Sequence, residues 1–237
     1  MAPVSRPQAR SERTRAAILK AAEELFAERG FAASRLEDVA ERVGIRRASI
    51  FYYFADKPAL YDAVLANALG DLLARTSAAL RARGSLAARI EAAVAAWVET
   101  LGTRPTLARL LLREAADGTP ESPPALLRHT QPFVELVQRL VQESAGDPLL
   151  AAPPIDPIHL ASTIVGATVF FVAAMPSLAP GRGFNPIDSR ELASHKSEVL
   201  RITRRLLGIT TPLPRIRKHP VVPRSKHASS KTRPHAH

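Results

Sequence analysis

Residues 30–60, GFAASRLEDVAERVGIRRASIFYYFADKPAL, decide how this chain is read. Ser34 followed by Glu37 matches a capping box, in which each side chain satisfies a backbone N–H at a helix start. Leu36, Val39, Ala40 and Val43 then recur at helical spacing and make one apolar face. Gly44 follows directly and is suited to the positive φ that ends a helix and opens a tight turn. Ile45 is the apolar residue that tucks this turn into a core. A second helix is predicted from Arg46 or Arg47 through Phe54. Asp56 then caps a further helix that has Pro58 in its first turn. Helix, glycine turn and helix make a helix-turn-helix, whose second helix enters a major groove.

Side-chain chemistry in the second helix fits that use. Arg47 and Ser49 lie at its N-terminal end, the end that reaches base edges. An arginine spans O6 and N7 of guanine, and one such bidentate contact discriminates by ~1–3 kcal/mol. Tyr52 and Tyr53 are both candidates to stack on a thymine methyl or to hydrogen-bond a phosphate. Lys57, Arg46 and Arg35 are candidate phosphate contacts. The plainer reading makes the apolar members core and the polar ones a solvated face. That reading is adopted for Ile50, Phe51 and Phe54. It is set aside for Arg47, Ser49, Tyr52 and Tyr53, because core residues do not alternate with cations and hydroxyls.

From about Arg13 to Leu65 the chain resembles the DNA-binding domain of the TetR family (TetR/AcrR type) of bacterial transcriptional regulators. The matching residues are Ile18, Ala21, Ala22, Phe26, Gly30 and Phe31, then Val39, Ala40, Gly44, Ile45, Ile50, Tyr53, Phe54, Lys57 and Leu60. Three positions depart from the family pattern. Arg46 stands where a small capping residue, usually Ser, is common, and Ala48 replaces a frequent Gly. Phe51 replaces a frequent Tyr, and with it a hydroxyl that reaches a phosphate.

Composition agrees. The 237-residue chain has a net charge of +11 and no cysteine, so disulfides and Cys-based metal or nucleophile chemistry are excluded. Residues 1–57 carry 11 Lys/Arg against 8 Asp/Glu, residues 58–208 carry 15 against 14, and residues 209–237 carry 7 against none. Basic character is thus confined to the two ends, and basic segments attract nucleic acid through phosphate neutralisation. The expected organisation is a flexible basic N-terminus (1–11), a helix-turn-helix domain (12–57), a helical ligand-binding and dimerisation domain (58–208) and a disordered basic tail (209–237). The N-terminal MAPVSRPQAR lacks the apolar region of a signal peptide. The expectation is a cytoplasmic protein, nucleoid-associated when bound to an operator.

Beyond residue 58 the pattern predicts an all-α architecture, with about six helices added to the first three. Leu86, Ile90, Val94, Trp97 and Leu101 step along one helix face. Leu107, Leu110 and Leu111 do so on the next, and Phe133, Leu136, Val137, Leu140 and Val141 on another. Pro- and Gly-rich stretches separate them.

Ile158–Met175 contains no Asp, Glu, Lys or Arg. Its length is the lower edge of a membrane span, but His159, Ser162, Thr163, Gly166 and Thr168 fit that use poorly. A helix apolar all round is instead buried on two sides. Leu160, Ile164, Ala167, Phe171 and Ala174 are assigned to the chain's own core. Ala161, Val165, Thr168 and Val172 are assigned to a partner subunit. The last helix, with Leu192, Val199 and Leu206 seven apart, is its natural companion. The family resemblance implies a homodimer through these helices, near 156–175 and 189–207.

A dimer presents two recognition helices ~34–36 Å apart to a palindromic double-stranded operator. The resemblance further implies repression relieved by a small-molecule effector. Trp97, His129, Phe133, Phe170 and Met175 are the candidate pocket residues, with plain core packing the simpler reading for each. So few charges on these faces point to an apolar effector. No cofactor, metal site or catalytic residue is predicted, because no G-x-S-x-G, P-loop, H-E-x-x-H or G-x-G-x-x-G motif is present. Four of the seven histidines (His219, His227, His235 and His237) fall in the tail without metal-site spacing. The alternative function is an architectural protein that binds DNA broadly through its basic ends.

Overall fold

A computed structural model describes residues 6–118, 124–144, 146–147, 156–180 and 184–209. Every regular element among them is helical: α1 (Arg6–Ala33), α2 (Leu36–Val43), α3 (Arg47–Ile50), α4 (Lys57–Arg81), α5 (Leu86–Thr103), α6 (Pro105–Asp117), α7 (Leu126–Glu143), α8 (Pro157–Ala173), α9 (Met175–Leu178) and α10 (Ser189–Leu206). None of these helices is long and apolar enough to cross a membrane. The basic tail and its histidines lie outside the described residues, Ile209 excepted.

The first helix begins earlier than the sequence reading placed it. Residues 6–11, expected to be flexible, already belong to α1. Arg6, Gln8, Ala9 and Arg10 there are good helix formers, and Pro7 is tolerated in a first turn. Gly30 ends the regular part of α1 with φ 79°, a conformation that costs other residues about 1 kcal/mol or more.

The predicted capping box does not form. The N-cap of α2 is Arg35, with no side-chain cap. The Ser34 hydroxyl, itself buried, turns back to donate to the Gly30 carbonyl at 2.6 Å. Glu37 instead pairs with Arg47 at 3.0 Å. At its other end α2 closes as expected. Gly44 is left-handed (φ 72°), and the Ile45 amide donates to the Ala40 carbonyl at 3.0 Å, a Schellman closure. Asp56 caps α4 by accepting from the Ala59 amide at 2.7 Å. The second helix of the motif is shorter than predicted. Helix α3 ends at Ile50, and residues 51–53 continue as turns.

One buried cluster holds α1–α4 to α6 and α8. Ile18, Leu25 and Phe26 of α1 meet Val39, Ile50, Leu60, Val64, Leu107 and Val172 there. Helix α5 keeps its predicted stripe, with Leu86, Val94 and Leu101 buried.

Helix α8 corrects the assignment of its faces. Thr168 and Val172, given to a partner, are buried within the chain at 0% and 1% exposure. Ala161 and Val165 are exposed as assigned, and Ile158 and Phe170 are exposed as well. A helix apolar on all sides has no polar stripe to set its rotation, so packing against α5 and α6 set it. Helix α10 is corrected in the same way. Leu192 and Val199 face inward onto α5, and Ile202 joins Leu206 at the surface.

Candidate nucleic-acid interface and effector cleft

The reading edge is built on α3 and the turn after it. Ile50 and Phe54 anchor this segment in the core, as expected. Phe51, also expected in the core, is 45% exposed. The early end of α3 rotates it outward beside Arg47, whose guanidinium lies 5.6 Å from the Phe51 ring centroid. The same guanidinium reaches Glu37 of α2. Both partners are exposed, so opening this pair to meet a guanine costs about 1 kcal/mol or less. Ser49 is half-buried.

The two tyrosines divide their roles. Tyr52 is 81% exposed and projects from the edge. Tyr53 packs partly on the core and takes Tyr52 edge-on, with centroids 5.1 Å apart. Arg35 and Arg46 are exposed and have no ion-pair partner among the described residues.

Lys57, the expected phosphate contact at the start of α4, is half-buried. Its ammonium donates to the Ala32 carbonyl at 3.2 Å and lies 4.3 Å from the Phe31 ring centroid. Burial lowers its pKa.

Behind this edge lies a polar junction that sequence reasoning missed. The buried Glu114 carboxylate of α6 accepts from the Tyr61 hydroxyl of α4 and, at 3.0 Å, from the Leu126 amide that opens α7. Burial, then the Glu114 contact, raises the Tyr61 pKa. Its ring packs on Phe26 and Phe31 of α1, each with centroids 4.8 Å away. Arg104 binds Glu23 at 2.9 Å. Arg113 donates to the carbonyls of Ala27 and Glu28 at 2.9 and 2.6 Å. The only sequence signals were a Glu and an Arg beside the buried face of α6.

Helices α4, α5, α7 and α8 enclose a cleft of about 200 Å3. Trp97 and Phe133, two of the candidate pocket residues, line it with Leu80, Val94, Val137 and Ile164. The other three pocket candidates do not. His129 lies one turn before Phe133 on α7, and its Nε2 meets Asp62 of α4 at 3.0 Å. Arg128 also binds Asp62, at 2.7 Å, and holds that carboxyl below the usual range. Phe170 is exposed on the far side of α8, and Met175 begins α9. His195 of α10 stacks on Phe171 at 3.8 Å. Burial lowers its pKa to about 4.

A short helix with cationic, aromatic and hydroxyl side chains, held outward on a packed three-helix base, defines a helix-turn-helix DNA-binding protein. Residues 18–64 match the family of bacterial regulatory proteins named for tetR. The chain is 32% identical over 162 residues to the HTH-type transcriptional regulator RutR of Escherichia coli (strain K12), covering 68% of this chain and 75% of that protein. The chain belongs to the TetR family and is a DNA-binding transcriptional regulator.

Solved structures agree on the fold. A TetR/AcrR-family regulator from Thermobifida fusca superposes with a TM-score of 0.54 at 24% identity, covering 84% of this chain and 98% of that one. The regulator FadR of Bacillus subtilis, in complex with stearoyl-CoA, does so with 0.59 at 14% identity, covering 79% and 96%.

Proposed function

We propose that this protein is a dimeric repressor that reads a palindromic operator and leaves it when a small apolar ligand enters the cleft. The observation that carries the reading is the exposed edge of Arg47, Phe51 and Tyr52, in a chain whose later helices hold an apolar cleft. Arg47 and Tyr52 are the proposed base contacts, with Ser49 beside them. Arg35 and Arg46 are the proposed phosphate contacts, and Lys57 and Tyr53 serve to position α3. Residues 6–57 form the reading head, and 58–208 carry effector and dimer surfaces.

The dimer is proposed through α8 and α10. Ile158, Val165 and Phe170 on α8, and Ile202 and Leu206 on α10, are apolar and exposed in a single chain. Such patches mark interaction surfaces. The cleft couples to the head through α7. That helix lines the cleft at Phe133 and Val137, and it is tied to α4 at Asp62 and, through Glu114, at Tyr61. A ligand that favours one placement of α7 shifts the separation of the two heads only by its differential affinity for the two states.

Selection of bound sequences from a random duplex pool at physiological salt tests the proposal. An enriched palindrome with half-sites one helical turn apart is the expected result. Binding without enrichment that vanishes as salt rises would leave the architectural reading in its place.

A further inference from the structure

We propose that the cleft accepts only uncharged ligands, an apolar body with at most one neutral polar group, and rejects the carboxylate or phosphate bearing the same skeleton. This rests on the reading of the cleft as the effector site.

The wall carries the argument. None of its residues is charged, and only Thr76 and Trp97 have polar side-chain atoms. The Thr76 hydroxyl already donates to the Leu72 carbonyl at 2.7 Å. The Trp97 Nε1 is buried, and its one N–H has no acceptor among the described residues. Of the cations adjoining the wall in sequence, Arg81 and Arg205 are exposed to solvent, Arg75 and Arg139 pair with Asp71 and Glu135, and two more are held by the protein. Arg89, beside Ile90, donates from Nε to the Leu80 carbonyl at 2.6 Å. Arg204, three residues before Leu207, binds Glu91 at 3.1 Å. An anion entering here would shed its hydration and meet no cation on the wall. An ionised ligand should therefore bind at least about 100-fold more weakly than its neutral counterpart.

Size narrows the class further. The cleft, at about 200 Å3, is below the ~300–1,000 Å3 usual for drug-sized ligands. Each methylene added to a linear neutral ligand should tighten binding about fourfold until the space is full.

The 237-residue chain contains a single tryptophan, Trp97, on the cleft wall, so its fluorescence reports occupancy directly. Titration with hexan-1-ol, octan-1-ol and octanoate at pH 7.5 is the test. The expected result is saturable quenching by the alcohols, tighter for octanol, with octanoate at least about 100-fold weaker than octanol. Val141→Lys, which places a cation at the half-buried rim of α7, should bring octanoate affinity up at least about tenfold.

Octanoate binding within tenfold of octanol to the natural protein would overturn the inference, as would no saturable quenching by either alcohol. Release of the selected duplex by octanol is scored separately. A ligand that fills the cleft without releasing DNA refutes the effector role and leaves the ligand chemistry standing.

Discussion

Replacing Tyr61 by Phe isolates the junction between the reading head and the cleft. The hydroxyl is the only atom lost, and the ring keeps its edge-on packing on Phe26 and its contact with Phe31. What disappears is a hydrogen bond to Glu114, a carboxylate that is only 8% exposed. Hydrogen bonds to charged groups contribute about 1.5–3 kcal/mol, and a buried acceptor left short of a donor retains its desolvation cost. The Leu126 amide still donates to that carboxylate, which places the expected loss near the middle, at about 2 kcal/mol. For a chain of this size that corresponds to a Tm lower by about 4–8 °C. Urea unfolding followed by Trp97 fluorescence gives the free energy, and calorimetry gives Tm. Glu114→Gln in the Tyr61→Phe background should cost less than the two single losses added, because both act on one interaction. A Tyr61→Phe protein within about 0.5 kcal/mol of the natural one, the range usual for inert surface substitutions, would refute the reasoning.

Three further outcomes follow from particular contacts. Burial keeps His195 neutral, with a pKa near 4 against an ordinary 6.5. The unfolded chain therefore binds more protons between those values, and stability should fall by about 1–2 kcal/mol as pH drops through that window, allowing for the ring's partial exposure. His195→Phe should flatten urea midpoints between pH 7.5 and 5; an unchanged slope would remove His195 as the cause. A methyl group on Gly102 would sit 2.4 Å from Leu192 of α10. Gly102→Ala should then destabilise on balance, since overpacking costs about 1–3 kcal/mol against about 1 kcal/mol gained in helix propensity. In a Leu192→Ala background the same change should become stabilising, as thermal unfolding will show. Arg46→Gln should lower the slope of log affinity against log salt by about 1, whereas Lys57→Gln, with its ammonium held at Ala32, should leave that slope unchanged.

What could be read from the residues follows a physical divide. The helix-turn-helix was legible because Gly44, Asp56 and the stripe Leu36, Val39 and Ala40 each impose a local geometry, and all three hold. Ser34 and Glu37 satisfied a local rule yet found other partners, Ser34 at the Gly30 carbonyl four residues back and Glu37 at Arg47 across the Gly44 turn. Phe51 was taken for core by its type, but its direction depends on where α3 stops. The faces of α8 were illegible for a different reason, since a helix without a polar stripe gives no sign of which way it turns. Trp97 and Phe133 reached the cleft as large residues on its helices, while His129, one turn before Phe133 on α7, was drawn to Asp62 of α4.

The central claim is that α3 reads bases, with Arg47 at its edge. The most direct test compares Arg47→Ala with the natural protein on the selected operator, on single-base variants of it, and on unrelated duplex. The account predicts a loss of about 1–3 kcal/mol confined to the operator, discrimination relaxed at one symmetry-related base pair per half-site, and unrelated duplex bound as before. An equal weakening on every duplex, with discrimination intact, would contradict it.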